Sequence, residues 1–503
     1  MTTTPVPEAQ LPATGIHRPA YGHFIGGRWA DGASDERITL LNPADNSVLA
    51  TVPSGTAADV EQAIDAAQRA FPSWAATSPS QRQAVLYELA QRLRKRAADF
   101  ALLDTLNHGP TITETSGFFV PLAIEQFELF SGAAWMHTGS TRVSGERLGL
   151  VHREPLGVCA QIIPWNAPLL MFAAKVAPAL AAGNTVVVKP SEIASLSVLA
   201  FLDEVSDVLP PGTVNVVNGY GPAVGEPLVT DPRVRKVAFT GSRATARTLI
   251  GYAAANIIPQ TMELGGKSAN IVCADADLDA AAEGAAMCVV ANKGEFCLAG
   301  SRVFVHDEVL DEFLDKFTGV LGRIKVGDPT DRATGLGPLA SRAQLKKVTG
   351  YLELGQAEGA RLVCGGTVAT VDGFASGNFV EPTVFADVDN TMRIAQEEIF
   401  GPVSTVQRWT DEDDLIARAN ASEYGLAGGV WTSDLRRAHR IAGRLDTGTV
   451  YINQYYNFME NMPIGGYKQS GFGREFSHEV LEHYTQTKAV IVNLREGPLG
   501  MFG

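Results

Sequence analysis

The chain has 503 residues, 45% of them apolar and 19% charged, enough for two or three domains with substantial cores. That balance, with 22 Phe, excludes disordered and fibrous classes. A formal net charge of −14 argues against nucleic acid or an anionic membrane as the main partner, since both want a basic face.

Residues 1–20 are rich in Pro, Thr and Ala, with neither a basic start nor a long apolar run, and are expected to be a loose tail and not a targeting segment. Ordered structure is expected from Tyr21, where GHFIGGRWADG reads as a strand and tight turn. Asp59 to Phe71 is helical: Thr56 and Asp59 have capping-box spacing, and Val60, Ile64, Ala67 and Phe71 share one face. A second helix, Ser80 to Arg96, turns Val85, Leu86, Leu89 and Leu93 inward. The most apolar stretch, Leu169 to Ala182, is interrupted by Lys175 and Pro178, which argues against a membrane span.

From Val158 short β-rich runs (Val158–Ile163, Thr185–Val188, Val214–Val217, Val237–Phe239) alternate with helical stretches near 168–181, 195–208, 222–229 and 243–256. Such alternation implies parallel strands and right-handed crossovers, an α/β fold with a doubly wound, Rossmann-type cofactor domain. Residues 21–138 and 158–265 are assigned to it, and 266–467 to a second α/β domain. The polar segment 139–157 and the end of the chain, 480–503 with its run Ala489–Leu494, are expected to form a β-arm that pairs with another subunit.

Five cysteines, odd in number and without a CxxC pair, read as reduced thiols in a cytoplasmic protein. Cys159, Cys273 and Cys288 sit in apolar or helical runs, as inert buried thiols do, and Cys364 looks like a strand-end residue. Cys297 alone lies in a loop of small residues, Gly294-Glu295-Phe296-Cys297-Leu298-Ala299-Gly300, where a substrate can approach. Upstream by 34 residues, Glu263 stands beside a Gly-Gly pair and is a candidate base.

The remaining motifs fall where loops would follow strands. In Pro164-Trp165-Asn166-Ala167-Pro168 the Trp between prolines is either structural or a rigid mount for Asn166, a neutral donor suited to an oxyanion. Lys189-Pro190-Ser191-Glu192 is either a solvated turn or a set of ribose ligands. Phe239-Thr240-Gly241-Ser242 closes a strand and opens a helix, whose N–H groups can cradle a pyrophosphate. No GxGxxG is present; Gly219-Tyr220-Gly221 with Gly225 is a weak approximation. Glu398-Ile399-Phe400-Gly401-Pro402 and Pro463-Ile464-Gly465-Gly466-Tyr467-Lys468-Gln469-Ser470-Gly471 would each, alone, read as a glycine-rich turn.

Taken together and in this order, from about Tyr21 to Leu494, these motifs resemble the aldehyde dehydrogenase superfamily, in its non-acylating, NAD(P)-dependent form. The resemblance implies that Cys297 attacks an aldehyde, that Asn166 and the Cys297 N–H hold the oxyanion, and that Glu263 activates water to hydrolyse the thioester. Lys175 and Glu475 match a proton exit path. Glu398 and Phe400 would meet the nicotinamide end, Lys189 and Glu192 the adenosine ribose, Ser242 and Trp165 the pyrophosphate. Ile163, Ser191, Gly221, Gly225, Phe239, Gly241 and Leu264 complete the implied cofactor contacts. No metal is required, and the family forms homodimers and homotetramers.

Two departures matter. Glu295 stands two before the nucleophile, where familiar members have Gln; pointing inward it would oppose a thiolate, whereas outward or paired with Lys293 it is harmless, the reading preferred here. Arg243, beside Ser242, raises the possibility of NADP, but Glu192 would repel a 2′-phosphate, which favours NAD. The implied aldehyde tunnel is Ala167, Met171, Ala174, Phe296, Tyr456, Asn457, Phe458 and Ile464, with small Ala167 and Ala174 where many members carry aromatics. That suggests a hydrophobic aromatic, terpenoid or aliphatic aldehyde. The alternatives are a CoA-acylating enzyme, against which Glu263 speaks, and a non-catalytic structural relative.

Overall fold

The computed structural model describes residues 15–136 and 138–497. Two large sheets carry the molecule. The first runs, in spatial order, Gly471–Phe472, Gln260–Glu263, Val234–Thr240, Val158–Ile162, Thr185–Lys189, Val214–Val216, His23–Ile25 and Arg28–Ala30. Its five inner strands are parallel, and both edges are antiparallel. Numbered by their order in the chain, the five read 3-2-1-4-5, the Rossmann order, whose switch point lies between Val158–Ile162 and Val234–Thr240.

Burial on both faces explains why those strands read as continuous apolar runs. Val158–Ile162 and Thr185–Lys189 are buried throughout. Alternate residues serve two cores: Cys159, Val186 and Val188 pack with Phe172 and Phe201 on one face, Val158, Ala160 and Val187 with Ile64 and Val237 on the other. Pro168–Ala181 is buried along its whole length, which accounts for a hydropathy that mimicked a membrane span. Among the described residues no helix is long and apolar enough to cross a membrane.

The second sheet has the order Arg361–Cys364, Thr383–Ala386, Val403–Trp409, Arg302–His306, Ala269–Val272, Ala427–Trp431 and Thr449–Ile452, parallel except for its first strand. A separate three-stranded sheet joins Thr485–Asn493, Arg147–Pro155 and Ser140–Ser144 of the same chain. Val490, Ile491 and Val492 on it are exposed.

Several sequence expectations need correction. Residues 15–20, assigned to the loose tail, are packed: Ile16 is buried, His17 Nε2 lies 2.8 Å from the Leu49 carbonyl oxygen, and Ala20 bridges Thr51. Residues 1–14 and 498–503 lie outside the described residues. The expected helix near 222–229 is present but in two pieces, a π-helix Gly221–Gly225 continued by the α-helix Glu226–Thr230. Residues 480–484, assigned to the arm, belong to a 3-10 segment that buries Val480, Leu481 and Tyr484 before the arm strand begins at Thr485.

Candidate active site

Carboxyl ends of the first sheet meet loops that precede strands of the second. Strand Val158–Ile162 delivers Pro164, Trp165 and Asn166, Val234–Thr240 delivers Gly241 and Ser242, and Gln260–Glu263 ends on Glu263 itself. From the other side, Cys297 precedes strand Arg302–His306, and Glu398 with Phe400 precedes Val403–Trp409. All of these groups line one largely apolar cavity of about 260 Å³. A site at the switch point of a doubly wound sheet is where such folds bind ligands.

Cys297 and Phe296 are partly exposed while the rest of their loop is buried. Burial pushes the Cys297 thiol up, and the carboxylates of Glu398 and Glu263 push it further; the N–H groups of Cys297 and Leu298 oppose them. Glu263 is buried, and its Oε1 has no hydrogen-bond partner among the described residues. Burial raises its carboxyl well above the usual range, Glu475 adds to the rise, and Lys175 and Arg474 counter it. Lys175, wholly buried, pairs with Glu475 behind this carboxylate. Asn166 is buried and donates through Nδ2 to the Glu295 carbonyl at 2.9 Å, which leaves its second amide proton for the cavity.

The Gly-Gly pair after Glu263 has a steric reason. A Cβ at Gly265 would collide with the Glu398 carboxylate. With glycine there, Glu398 comes close enough for its Oε1 to accept the Gly266 N–H at 3.0 Å. Trp165 meets Phe400 edge-on at 5.3 Å.

The expected residues divide by position. Cys297, Glu263, Asn166, Glu475, Trp165, Gly241, Ser242, Leu264, Glu398 and Phe400 line the cavity, as do Ala167, Met171, Phe296, Phe458 and Ile464. Ala174, placed in the tunnel from sequence, is not on its wall: it lies in the all-buried helix Pro168–Ala181. Tyr456 backs the wall instead of lining it, stacked on Phe296 at 4.8 Å, and Asn457 is turned to solvent. Ile163, Ser191, Phe239 and Gly225 are buried beside the strand ends, and Gly221 is exposed.

These groups fit a dinucleotide. Thr240 Oγ1 is buried at the cavity without a partner, Ser242 caps helix Arg243–Ala254, and Lys189 Nζ lies 3.4 Å from Glu192 Oε2 where strand Thr185–Lys189 ends. Arg243 is already engaged: it pairs with Glu423 and lies over the Tyr424 ring at 4.8 Å.

Residues 29–490 match the sequence profile of the Aldehyde dehydrogenase family. The chain belongs to the aldehyde dehydrogenase family. It is 41% identical to acetaldehyde dehydrogenase 2 of Cupriavidus necator, over 98% of this chain and 99% of that one. Fluoroacetaldehyde dehydrogenase of Streptantibioticus cattleyicolor is likewise 41% identical, over 96% and 97% of the two chains. The crystal structure of PnpE in complex with nicotinamide adenine dinucleotide superposes with a TM-score of 0.94 at 40% identity, covering 96% of this chain and 99% of that one. An NAD+ complex of aldehyde dehydrogenase from Bacillus cereus gives 0.94 at 37%, over 97% and 100%.

For this aldehyde dehydrogenase, sequence reasoning missed several wall residues and an aromatic residue packed behind them. Gln344 and Lys347 lie three apart on helix Arg342–Ala357 and reach the cavity beside Glu398. They carry no motif, and only their shared helical face links them. Leu122 lines the cavity. Phe118, in the π-turn Thr115–Phe119, packs on Phe296 at 6.3 Å and Phe458 at 5.4 Å. The paired Phe118-Phe119 was a visible signal, but its partners are distant in sequence.

Proposed function

We propose that the chain oxidises an apolar aldehyde to its carboxylic acid, with NAD as electron acceptor and Cys297 as nucleophile. The observation that carries the reading is the meeting of Cys297, Glu263, Asn166 and Glu398 on one cavity. The Cys297 thiol, partly exposed, releases its proton to solvent water, and the thiolate adds to the aldehyde carbon: a C–S bond forms, and the carbonyl π pair moves to oxygen, which accepts from the Asn166 amide and the Cys297 N–H. When bound, NAD supplies the acceptor for the hydrogen and electron pair lost from that carbon, which leaves a thioester on Cys297. Glu263 then takes a proton from water, the water oxygen adds to the thioester carbon, and the C–S bond breaks to release the acid.

A carboxylate held above its usual range is suited to this work, because it binds the proton it must remove. Lys175 and Glu475, paired behind Glu263, offer that proton a way out. The free oxygen of Glu263 favours water over CoA as the acyl acceptor. Lys189 and Glu192 would hold the adenosine ribose, Ser242 and Trp165 the pyrophosphate, and Glu398 the nicotinamide ribose. Engagement of Arg243 by Glu423 favours NAD over NADP.

Among the described residues no cationic group stands with Phe296, Phe458, Met171 and Leu122 on the side assigned to the aldehyde, and this favours an aromatic, terpenoid or aliphatic aldehyde over a charged one. The names of the relatives that act on acetaldehyde and fluoroacetaldehyde favour the short aliphatic end of that class. The exposed apolar residues of strand Thr485–Asn493 suit a homodimer or homotetramer joined by that strand. A cytoplasmic setting suits five unpaired cysteines.

The test is NADH formation from benzaldehyde, hexanal, acetaldehyde and succinic semialdehyde. The apolar aldehydes should give the higher kcat/KM, and Cys297→Ala should abolish the signal while NAD still binds. A preference for the semialdehyde, or an active Cys297→Ala, would overturn the reading.

A further inference from the structure

Beneath the nucleophile loop lies a second buried Lys–Glu pair that the mechanism above does not use. Lys293 and Glu295 are almost entirely excluded from solvent, with Nζ 3.2 Å from Oε2. The backbone there is held against its preference: Asn292, Lys293 and Gly294 adopt left-handed conformations in succession, with φ of 47°, 61° and 69°. For a side chain as long as Lys293 that conformation is unfavourable and persists only where its surroundings impose it. At Gly294 no larger residue fits, since a Cβ would collide with the Gly401 carbonyl.

The contacts that impose the turn run through the pair. Lys293 Nζ donates to Asn292 Oδ1 at 2.6 Å, and Glu295 Oε1 accepts the Ala340 N–H at 3.1 Å. Asn292 donates its N–H to Glu114 Oε1 at 2.6 Å, and its Nδ2 to the carbonyls of Asn166 and Glu295 at 2.7 and 3.0 Å. The Glu295 carbonyl also accepts the Asn166 amide at 2.9 Å, so it sets how that amide presents its remaining proton. Asp104 and His108 face Lys293 from the helix Ala97–His108, and Lys347 faces Glu295 from the helix Arg342–Ala357.

We propose that Lys293 and Glu295 are positioning residues that act as one unit, closing the left-handed turn and fixing the carbonyl that orients Asn166. The inference rests on Cys297 as nucleophile. Removing one partner leaves a buried charge uncompensated, whereas replacing both removes that penalty. An amide at position 295 still accepts the Ala340 N–H, and one at 293 still donates, so a Gln–Gln pair retains the hydrogen-bonding pattern without either charge.

The test is a cycle of Lys293→Gln, Glu295→Gln and the double variant, read by the rate constant of the pre-steady-state NADH burst, which does not depend on the active fraction. Each single change should slow the burst by roughly tenfold or more with KM for NAD within about twofold, and the double should return to within about threefold of the parent. Multiplying effects in the double would overturn the proposal, and so would singles that lower Tm but leave the burst rate constant at the parental value. If a single variant fails to fold, the double decides: folded with a near-parental burst supports the unit, unfolded or slow contradicts it. A parent enzyme without any Cys297-dependent burst would instead sink the assigned nucleophile, so the two failures are told apart.

Discussion

Two buried lysine–glutamate pairs flank the cavity, and they reach it by different routes. Lys175 and Glu475 sit behind the base, and Glu475 itself lines the cavity wall. Their charges act directly on Glu263, one raising its carboxyl and the other lowering it. Lys293 and Glu295 sit under the nucleophile loop, where burial pushes Glu295 up to about 7 against the pull of Lys293. The carboxylates that push the Cys297 thiol up are Glu398 and Glu263, and the second pair, on the proposal above, serves Cys297 through the backbone. A base is tuned by a charge beside it, whereas a nucleophile on a strained loop is served by a pair that holds the loop's shape.

The largest effect expected from this contrast comes from breaking the first pair. Lys175→Met leaves Glu475 uncompensated in a buried site, next to a second carboxylate. The loss should be about 3–5 kcal/mol of stability, read by chemical denaturation. A loss below about 1 kcal/mol would mean that the pair is not an interdependent unit.

A smaller effect separates the two pairs by pH. As the proposed base, Glu263 works deprotonated, so turnover should rise as pH passes through its raised pKa. Glu475→Gln removes a like charge and lowers that pKa, which moves the acid limb of kcat to lower pH. The Lys293→Gln/Glu295→Gln variant should leave the limb in place, because those groups are not what raises Glu263. An equal shift in both variants would erase the distinction drawn here.

Much of the fold could be read in advance because fully buried parallel strands announce themselves as short apolar runs between glycines and prolines. Val158–Ile162 and Thr185–Lys189 are of that kind. The packed residues 15–20 escaped notice because their order comes from contacts with the hairpin strand Val48–Pro53, not from their own composition. In the site, Asn166, Glu263, Cys297 and Glu398 belong to short motifs and were legible. Gln344 and Lys347, which line the cavity, and Phe118, which packs behind its wall on Phe458, were not, since each gets there through packing between segments far apart in the chain. Glu295 was only half legible: pairing with Lys293 was one of the two placements expected, the outward one is not what the fold adopts, and its depth and its carbonyl's hold on Asn166 required the folded loop.

The central claim is a division of labour in which Cys297 forms the acyl-enzyme and Glu263 releases it. Mass spectrometry of Glu263→Gln, mixed with NAD and an apolar aldehyde and then quenched in acid, tests it most directly. Steady-state turnover should fall by about 10²–10⁴-fold, the contribution of a general base, while the acyl group accumulates on Cys297. An unmodified Cys297 in a variant that still forms NADH, or undiminished turnover, would contradict the account.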